Sequence, residues 1–360
     1  MEKNRIIAMI FILSLLIISG CKAKKDVLTV ETVRVGTEGV ALSFGQGAPP
    51  DLIQVEEGDT NSNSFEILIE ARNKGAYPQL GQDAPSTFGN VYLSGFDKGI
   101  IQIEPSSYSM NPQNLEGKST INTNGGLDII IFKGTINANL IENKYDPTIL
   151  ATACYTYETI AAPQICIDPD PYSTINRKVC TPQEIALTGQ GAPVAVTKVV
   201  TEAFAKKTQF RIWFKNVGGG EIIKKESINK CTSTEKLARE DFDKIMVDEV
   251  KLASTQLTCG PFNEGGKLTN GIVRMINNEG SIICEIPSSS YAQTVSAYTT
   301  PLKISLSYGY KSVASKKIMI KKEGASSGAS GDFTKIGGSS GSTSSSTTDN
   351  SMSDRLRGGP

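Results

Sequence analysis

Seven cysteines are the side chains of this 360-residue sequence best placed to do chemistry, and their spacing narrows what chemistry that is. Six of them, Cys154, Cys166, Cys180, Cys231, Cys259 and Cys284, form an even set in which no pair is spaced Cys-x-x-Cys. That counts against zinc and against thioredoxin-like redox work, which use closely spaced sulfurs. An even set of widely spaced cysteines suits structural disulfides in an exported chain; buried reduced thiols are the plainer alternative. Histidine is absent. Its absence removes Ser-His-Asp and Cys-His nucleophiles, imidazole metal ligands and the commonest general base near neutral pH. Paired carboxylates remain the main route to catalysis, and the chain reads as a non-enzyme without a cofactor. Asp168-Pro169-Asp170 carries two carboxylates that would suit calcium, but two acids around a proline read first as a stiff linker, and no metal is expected.

Cys21 stands apart, behind Lys3, Arg5 and an apolar segment from Ile6 to Leu13 and Leu15 to Ile18. The segment is short of the roughly 20 apolar residues of a spanning helix and fits a secretory signal. Its end, Ile18-Ser19-Gly20-Cys21, resembles the lipobox of prokaryotic lipoproteins. The resemblance implies that Cys21 is lipidated on sulfur, begins the mature chain and anchors it outside the cytoplasmic membrane by two acyl chains. An ordinary signal peptide, or an uncleaved anchor, would also place the rest of the chain there.

Charge is balanced, 37 basic against 37 acidic side chains, with no basic block in the part expected to fold. Nucleic acid is therefore not an expected partner. Trp213 is the only tryptophan. It falls out of phase with Phe210, Ile212 and Phe214; facing outward it would be a contact residue, and burial on the sandwich's other face, or beneath the interdomain loop, is the favoured reading.

These residues need a scaffold, and the sequence repeats one. Gly45-Gln46-Gly47-Ala48-Pro49 recurs as Gly189-Gln190-Gly191-Ala192-Pro193. The alternating strands Phe65 to Ala71 and Phe210 to Phe214 run into Arg72-Asn73-Lys74-Gly75 and Lys215-Asn216-Val217-Gly218. Near the ends of the copies, Tyr155 and Tyr157 match Tyr308 and Tyr310. Offsets near 144 and 153 residues predict a duplicated domain. Both copies are rich in short β-branched runs separated by Asn/Gly turns, which predicts an all-β fold of two tandem antiparallel sandwiches. One short helix is expected at Ser233 to Phe242, capped by Ser233 or Thr234.

Tyr155/Tyr157 and Ile165/Ile167 are expected to face each other in a hairpin closed by Ala161-Ala162-Pro163. That hairpin would oppose Cys154 and Cys166, and both positions lose cysteine together in the second copy, as Ser307 and Met319. A Cys154–Cys166 disulfide follows. Cys259–Cys284 and Cys180–Cys231 are then the pairings that keep the remaining bridges local. The Asn-x-Gly turns are read as structural, with glycine supplying a positive φ.

A β-sandwich repeat whose alternating strand ends in basic-Asn-x-Gly resembles the immunoglobulin-like adhesion modules of prokaryotic surfaces, including those called CARDB, over about residues 40 to 322. The expected organisation is a signal peptide (1–20), a linker (21–38), a first immunoglobulin-like domain (39–168), a linker (169–186), a second domain (187–322) and a disordered Ser/Gly/Thr-rich tail (323–360). The expected role is a lipid-anchored, non-catalytic surface module that meets a protein or glycan partner. A structural subunit of an envelope or secretion assembly is the alternative, and a carboxylate-based enzyme a third.

Overall fold

The computed structural model describes residues 34–57, 63–79, 88–173, 178–267, 270–291 and 296–323. The leader, Cys21 and the tail from residue 324 onward lie outside the described residues. The first half supplies β1 (Val40–Phe44), β2 (Leu52–Val55), β3 (Ser64–Asn73), β4 (Gly89–Ser94), β5 (Ile101–Glu104), β6 (Tyr108–Met110), β7 (Leu127–Ile136), β8 (Lys144–Tyr145), β9 (Thr148–Ala161) and β10 (Gln164–Ile167). The second supplies β11 (Glu184–Ala186), β12 (Val194–Ala203), β13 (Lys207–Asn216), β14 (Glu221–Ile223), β15 (Lys244–Leu252), β16 (Thr255–Gln256), β17 (Thr258–Gly260), β18 (Glu264–Lys267), β19 (Asn270–Arg274), β20 (Glu279–Pro287), β21 (Tyr298–Lys317) and β22 (Met319–Lys322). The fold is all-β and of the sandwich class, as its alternating runs predict. β7 is the plainest case: Asp128, Ile130, Phe132, Gly134 and Ile136 are buried while Leu127, Ile129, Ile131, Lys133 and Thr135 are exposed.

The halves share a sheet. Its central order is β19-β15-β21-β9-β4-β6, and it crosses from one half to the other where β21 pairs with β9. Three smaller sheets, β1-β3-β7-β5, β11-β12-β13-β20-β17 and β2-β22-β8, complete the fold. The described residues before Gly324 form one compact unit, so the linker expected at 169–186 does not separate two independent sheets.

The expected hairpin does not form. β10 continues past β9 in the same direction and pairs with β21, in one unbroken register: Lys317 faces Thr148, Ile304 faces Ala161, Pro301 faces Gln164 and Tyr298 faces Ile167. At the far end β22 pairs with β8 in that register, Ile320 facing Tyr145. The two breaks in this ladder fall at prolines, which have no N–H to donate. Pro163 still accepts the Leu302 N–H at 2.9 Å, and Pro147 accepts that of Ile318 at 3.1 Å. Ala161-Ala162-Pro163 therefore interrupts a ladder instead of turning the chain back.

At the centre of this ladder Tyr155 faces Tyr310 and Tyr157 faces Tyr308. Strand alternation puts all four rings on one face, where they form a closed quartet with neighbouring centroids 5.8 to 6.4 Å apart. Their hydroxyls reach the small sheets of both halves. Tyr155 accepts the Val40 N–H at 2.9 Å, and Tyr308 accepts that of Val194 at 3.2 Å. Tyr157 donates to Asn73 Oδ1 at 3.2 Å, and Tyr310 to Asn216 Oδ1 at 2.9 Å.

β14 joins the shared sheet beside β21, and the 3-10 helix Lys225–Lys230 that follows it covers the opposite face of the seam. Cys154, Ile223, Ile228 and Cys231 are buried there together. Gly309, which faces Thr156, leaves room for this cover: a Cβ would sit 2.7 Å from Ile223 Cγ1 and 3.0 Å from Ile228 Cγ1. The helix expected at Ser233 to Phe242 contracts to a single 3-10 turn, Arg239–Asp241. Neither Ser233 nor Thr234 caps it; the Asp241 carboxylate bonds back to the Ala238 N–H at 2.9 Å. Tertiary demands on that carboxylate, which also accepts Ser227 Oγ at 2.6 Å, override a weak local helical signal.

Candidate binding surface

The six expected disulfide cysteines are all paired, but two of the three pairings differ from expectation. Cys154 joins Cys231 and Cys166 joins Cys180, while Cys259–Cys284 forms as expected. The cause is the missing hairpin: with β10 running on from β9, Cys166 faces Thr299 and lies down the ladder from Cys154. Cys259 and Cys284 stand directly opposite each other on β17 and β20. Cys154–Cys231 ties the first half to the second across the covered face of the seam.

The Asn-x-Gly turns are structural, though not for the expected reason. Asn73 is fully buried; its amide donates to Tyr77 O at 2.7 Å and Leu115 O at 2.8 Å, and its Oδ1 also accepts the Gly75 N–H at 3.1 Å. Neither Gly75 nor Gly218 has a positive φ. Each is glycine because a Cβ would collide with its surroundings: at Gly75 with the Tyr157 hydroxyl and the carbonyl oxygens of Gly191 and Glu38, at Gly218 with the Tyr310 hydroxyl and Pro193 Cβ. The repeated Gly-Gln-Gly-Ala-Pro turns do not occupy matching places. The first follows β1 and the second precedes β12, although Val40 faces Asn73 as Val194 faces Asn216.

Asp168 and Asp170 do not present an open cation site. Asp168 is buried, and the Lys178 ammonium bonds its Oδ2 at 2.6 Å and the Asp170 carbonyl at 2.8 Å. A lysine thus supplies the positive charge, held close by the Cys166–Cys180 bridge. Among the described residues no three His, Cys, Asp or Glu side chains converge in a way that holds a metal ion.

Trp213 is half-buried on the outer face of β13, not in the core. The Lys198 ammonium stands 4.2 Å from its ring centroid and the Arg211 guanidinium 5.9 Å. Beside it opens a crevice of about 460 Å³, lined by Trp213, Pro261, Phe262, Asn263, Arg274 and Ile276 among others. Ile276, at the β19–β20 turn, is 70 % exposed. Arg274 also borders two adjoining depressions, each of which Arg239 borders too. Two of the acids there are neutralised, Glu279 by Lys215 at 2.8 Å and Glu221 by Lys311 at 2.7 Å. Among the described residues the guanidiniums of Arg239 and Arg274 have no carboxylate partner.

A second polar group lies on the covered face of the shared sheet. Asp248 sits at a bulge in β15, accepts Ser307 Oγ at 3.0 Å, and shares its surroundings with Lys225, Glu158 and Glu249. The side chain as a whole is exposed, but its carboxyl is crowded. Desolvation, reinforced by the two glutamates, pushes it up to about 6 against the opposing pull of Ser307 and Lys225.

Sequence reasoning missed this Trp213 crevice. Its one signal was the out-of-phase tryptophan; Arg274 reaches its rim, and Arg239 the adjoining depressions, only through tertiary folding. The chain matches no protein-family model and no curated protein.

Proposed function

We propose that this chain is an exported, lipid-anchored, non-catalytic module that presents a binding surface outside the cytoplasmic membrane. Three disulfides suit an oxidising, extracytoplasmic compartment. No helix among the described residues is long and apolar enough to cross a membrane, and in this reading lipid on Cys21 supplies the attachment. The observation that carries the binding role is the open crevice beside Trp213, where an aromatic wall meets the Arg274 guanidinium, which among the described residues has no carboxylate partner. A Cys21→Ser variant tests the anchor: it should leave the membrane fraction or persist as an uncleaved precursor, and unchanged fractionation and mature mass would refute lipidation. Crosslinking and capture from intact cells tests the binding role, since Trp213→Ala should abolish recovery of whatever the native chain retains.

We also read the two halves as immunoglobulin-like copies of one ancestral unit. The support is a matched set of contacts: Tyr157 bonds Asn73 as Tyr310 bonds Asn216, and Tyr155 bonds Val40 as Tyr308 bonds Val194. One observation favours the alternative role as an assembly subunit. Ile129 and Ile131 are 54 % and 49 % exposed on the outer face of β7, a β-branched row suited to protein contact. Loss of partner capture in Ile129→Lys/Ile131→Lys, with Trp213→Ala unaffected, would select that role.

A further inference from the structure

We infer that the Trp213 crevice takes an acidic saccharide, one sugar with its apolar face toward Trp213 and Phe262 and its carboxylate on Arg274, at the edge of the depressions that Arg274 shares with Arg239. The inference rests on the binding-module reading above and names the ligand class of that same site. Arg274 is the hinge of the geometry. It lines the aromatic crevice on one side and, with Arg239, the two depressions on the other. Among the described residues neither guanidinium has a carboxylate partner, so a sugar carboxylate finds in Arg274, with Arg239 across the shared depressions, a fixed fork of donors that matches its two oxygens. The aromatic wall next to them suits the C–H face of a pyranose.

The same rim limits how much charge the ligand carries. Glu240 borders one depression and Asp243 the other, so a densely sulfated or phosphorylated polyanion meets repulsion. An isolated carboxylate on a mostly neutral sugar chain does not. A peptide strand is disfavoured by the backbone around the crevice, which is already engaged. Met275 N–H bonds Asp243 O, Ile276 and Glu279 bond each other, Asn263 N–H bonds Ile272 O, and Arg274 N–H bonds Asn263 Oδ1. What remains are side chains: the Arg274 guanidinium, the Asn263 amide and two aromatic rings, a set that recognises hydroxyls and a carboxylate without strand pairing.

The sole tryptophan makes the test direct. The full chain, purified in detergent, is titrated with galacturonate tetramers and, in parallel, with neutral glucose and N-acetylglucosamine tetramers while Trp213 fluorescence is followed. The expected result is a saturable change with the acidic tetramer alone, weakened by roughly tenfold or more in Arg274→Gln and again in Arg239→Gln. Unchanged melting temperatures in both variants keep a loss of binding distinct from a loss of fold. Equal response to neutral and acidic tetramers, or acidic binding that neither arginine variant weakens, overturns the inference. If no saccharide binds while Trp213→Ala still abolishes capture of a cell-surface protein, the saccharide class falls and the binding-module reading stands. If no saccharide binds and Trp213→Ala leaves capture intact, both fall.

Discussion

Tyr157 faces Tyr308 across the β9–β21 ladder, their ring centroids 6.3 Å apart, and each hydroxyl bonds both halves of the molecule, Tyr157 also reaching the Gly191 carbonyl at 3.3 Å and Tyr308 also pairing with Thr159 Oγ1 at 2.9 Å. Tyr157 bonds Asn73 of the first half, and Tyr308 receives the Val194 N–H of the second. With Tyr155 and Tyr310 they close a quartet of buried phenols at the junction. Burial pushes all four phenols above the ordinary value of 10. The sign of the consequence follows. A phenol whose folded pKa is raised keeps its proton in the fold, whereas the unfolded chain releases it above about pH 10, so stability is intact below that pH and falls above it. Ultraviolet titration should leave these four phenols protonated above pH 10 for as long as the chain stays folded. The quartet should ionise only together with loss of β-sheet circular dichroism; smooth titration of every tyrosine in a still-folded chain would contradict the packing.

The close fit of glycine against these hydroxyls gives a second test. Gly75→Ala and Gly218→Ala each place a methyl where a tyrosine hydroxyl stands. Each should cost about 1–3 kcal/mol in denaturant unfolding, the usual range for overpacking a filled core. Removing the Tyr157 hydroxyl relieves only part of the clash, because the Gly191 and Glu38 carbonyl oxygens also stand against the added methyl, so Tyr157→Phe combined with Gly75→Ala should recover little of the cost of Gly75→Ala. A double variant as stable as Tyr157→Phe alone would mean that the hydroxyl is the sole obstacle and that the carbonyls leave room for a methyl.

The strands themselves were legible because alternation is local. Phe65 to Ala71, Lys244 to Leu252 and Leu127 to Phe132 each carry their burial pattern in adjacent residues, and each is a strand. Pairing was not legible, because it depends on which of several similar strands lies alongside. Ala161-Ala162-Pro163 has a turn composition, yet its proline sits at a gap in a continuous ladder against Leu302. That single difference moved Cys166 away from Cys154 and undid two disulfide assignments. Cys259 and Cys284 were recoverable because their strands are neighbours. The crevice was the least legible feature: Trp213, Arg274 and, at the adjoining depressions, Arg239 lie on separate segments, and nothing in their local sequence marks them as neighbours.

Cys154 and Cys231 test whether the seam is held covalently. Their bridge closes a separation of 77 residues over the buried cluster of Ile223 and Ile228. Replacing both by alanine should lower unfolding free energy by about 2–4 kcal/mol, chiefly by freeing the unfolded chain. Replacing Cys166 and Cys180, separated by only 14 residues, should cost less. Peptide mapping of the non-reduced protein checks the connectivity directly. Recovery of a Cys154–Cys166 peptide would restore the hairpin and remove the shared sheet.

Asp248 predicts a pH dependence opposite to that of a salt-bridged carboxylate. Its folded pKa of about 6 lies above the ordinary 3.8, so the fold disfavours the ionised form that the unfolded chain accepts freely. Below about pH 4 both states hold the proton and the residue contributes no pH dependence; between 4 and 6 the unfolded state ionises first, and stability falls as pH rises. Lys225 and the Ser307 hydroxyl reduce the penalty, and Glu158 and Glu249 add to it. Asp248→Asn keeps an acceptor for Ser307 Oγ while removing the charge. The melting temperature of this variant should therefore exceed that of the native chain at pH 7.5 and match it near pH 4. A gain of equal size at both pH values would assign the effect to packing. A loss at pH 7.5 would mean that the Lys225 attraction outweighs desolvation at this bulge.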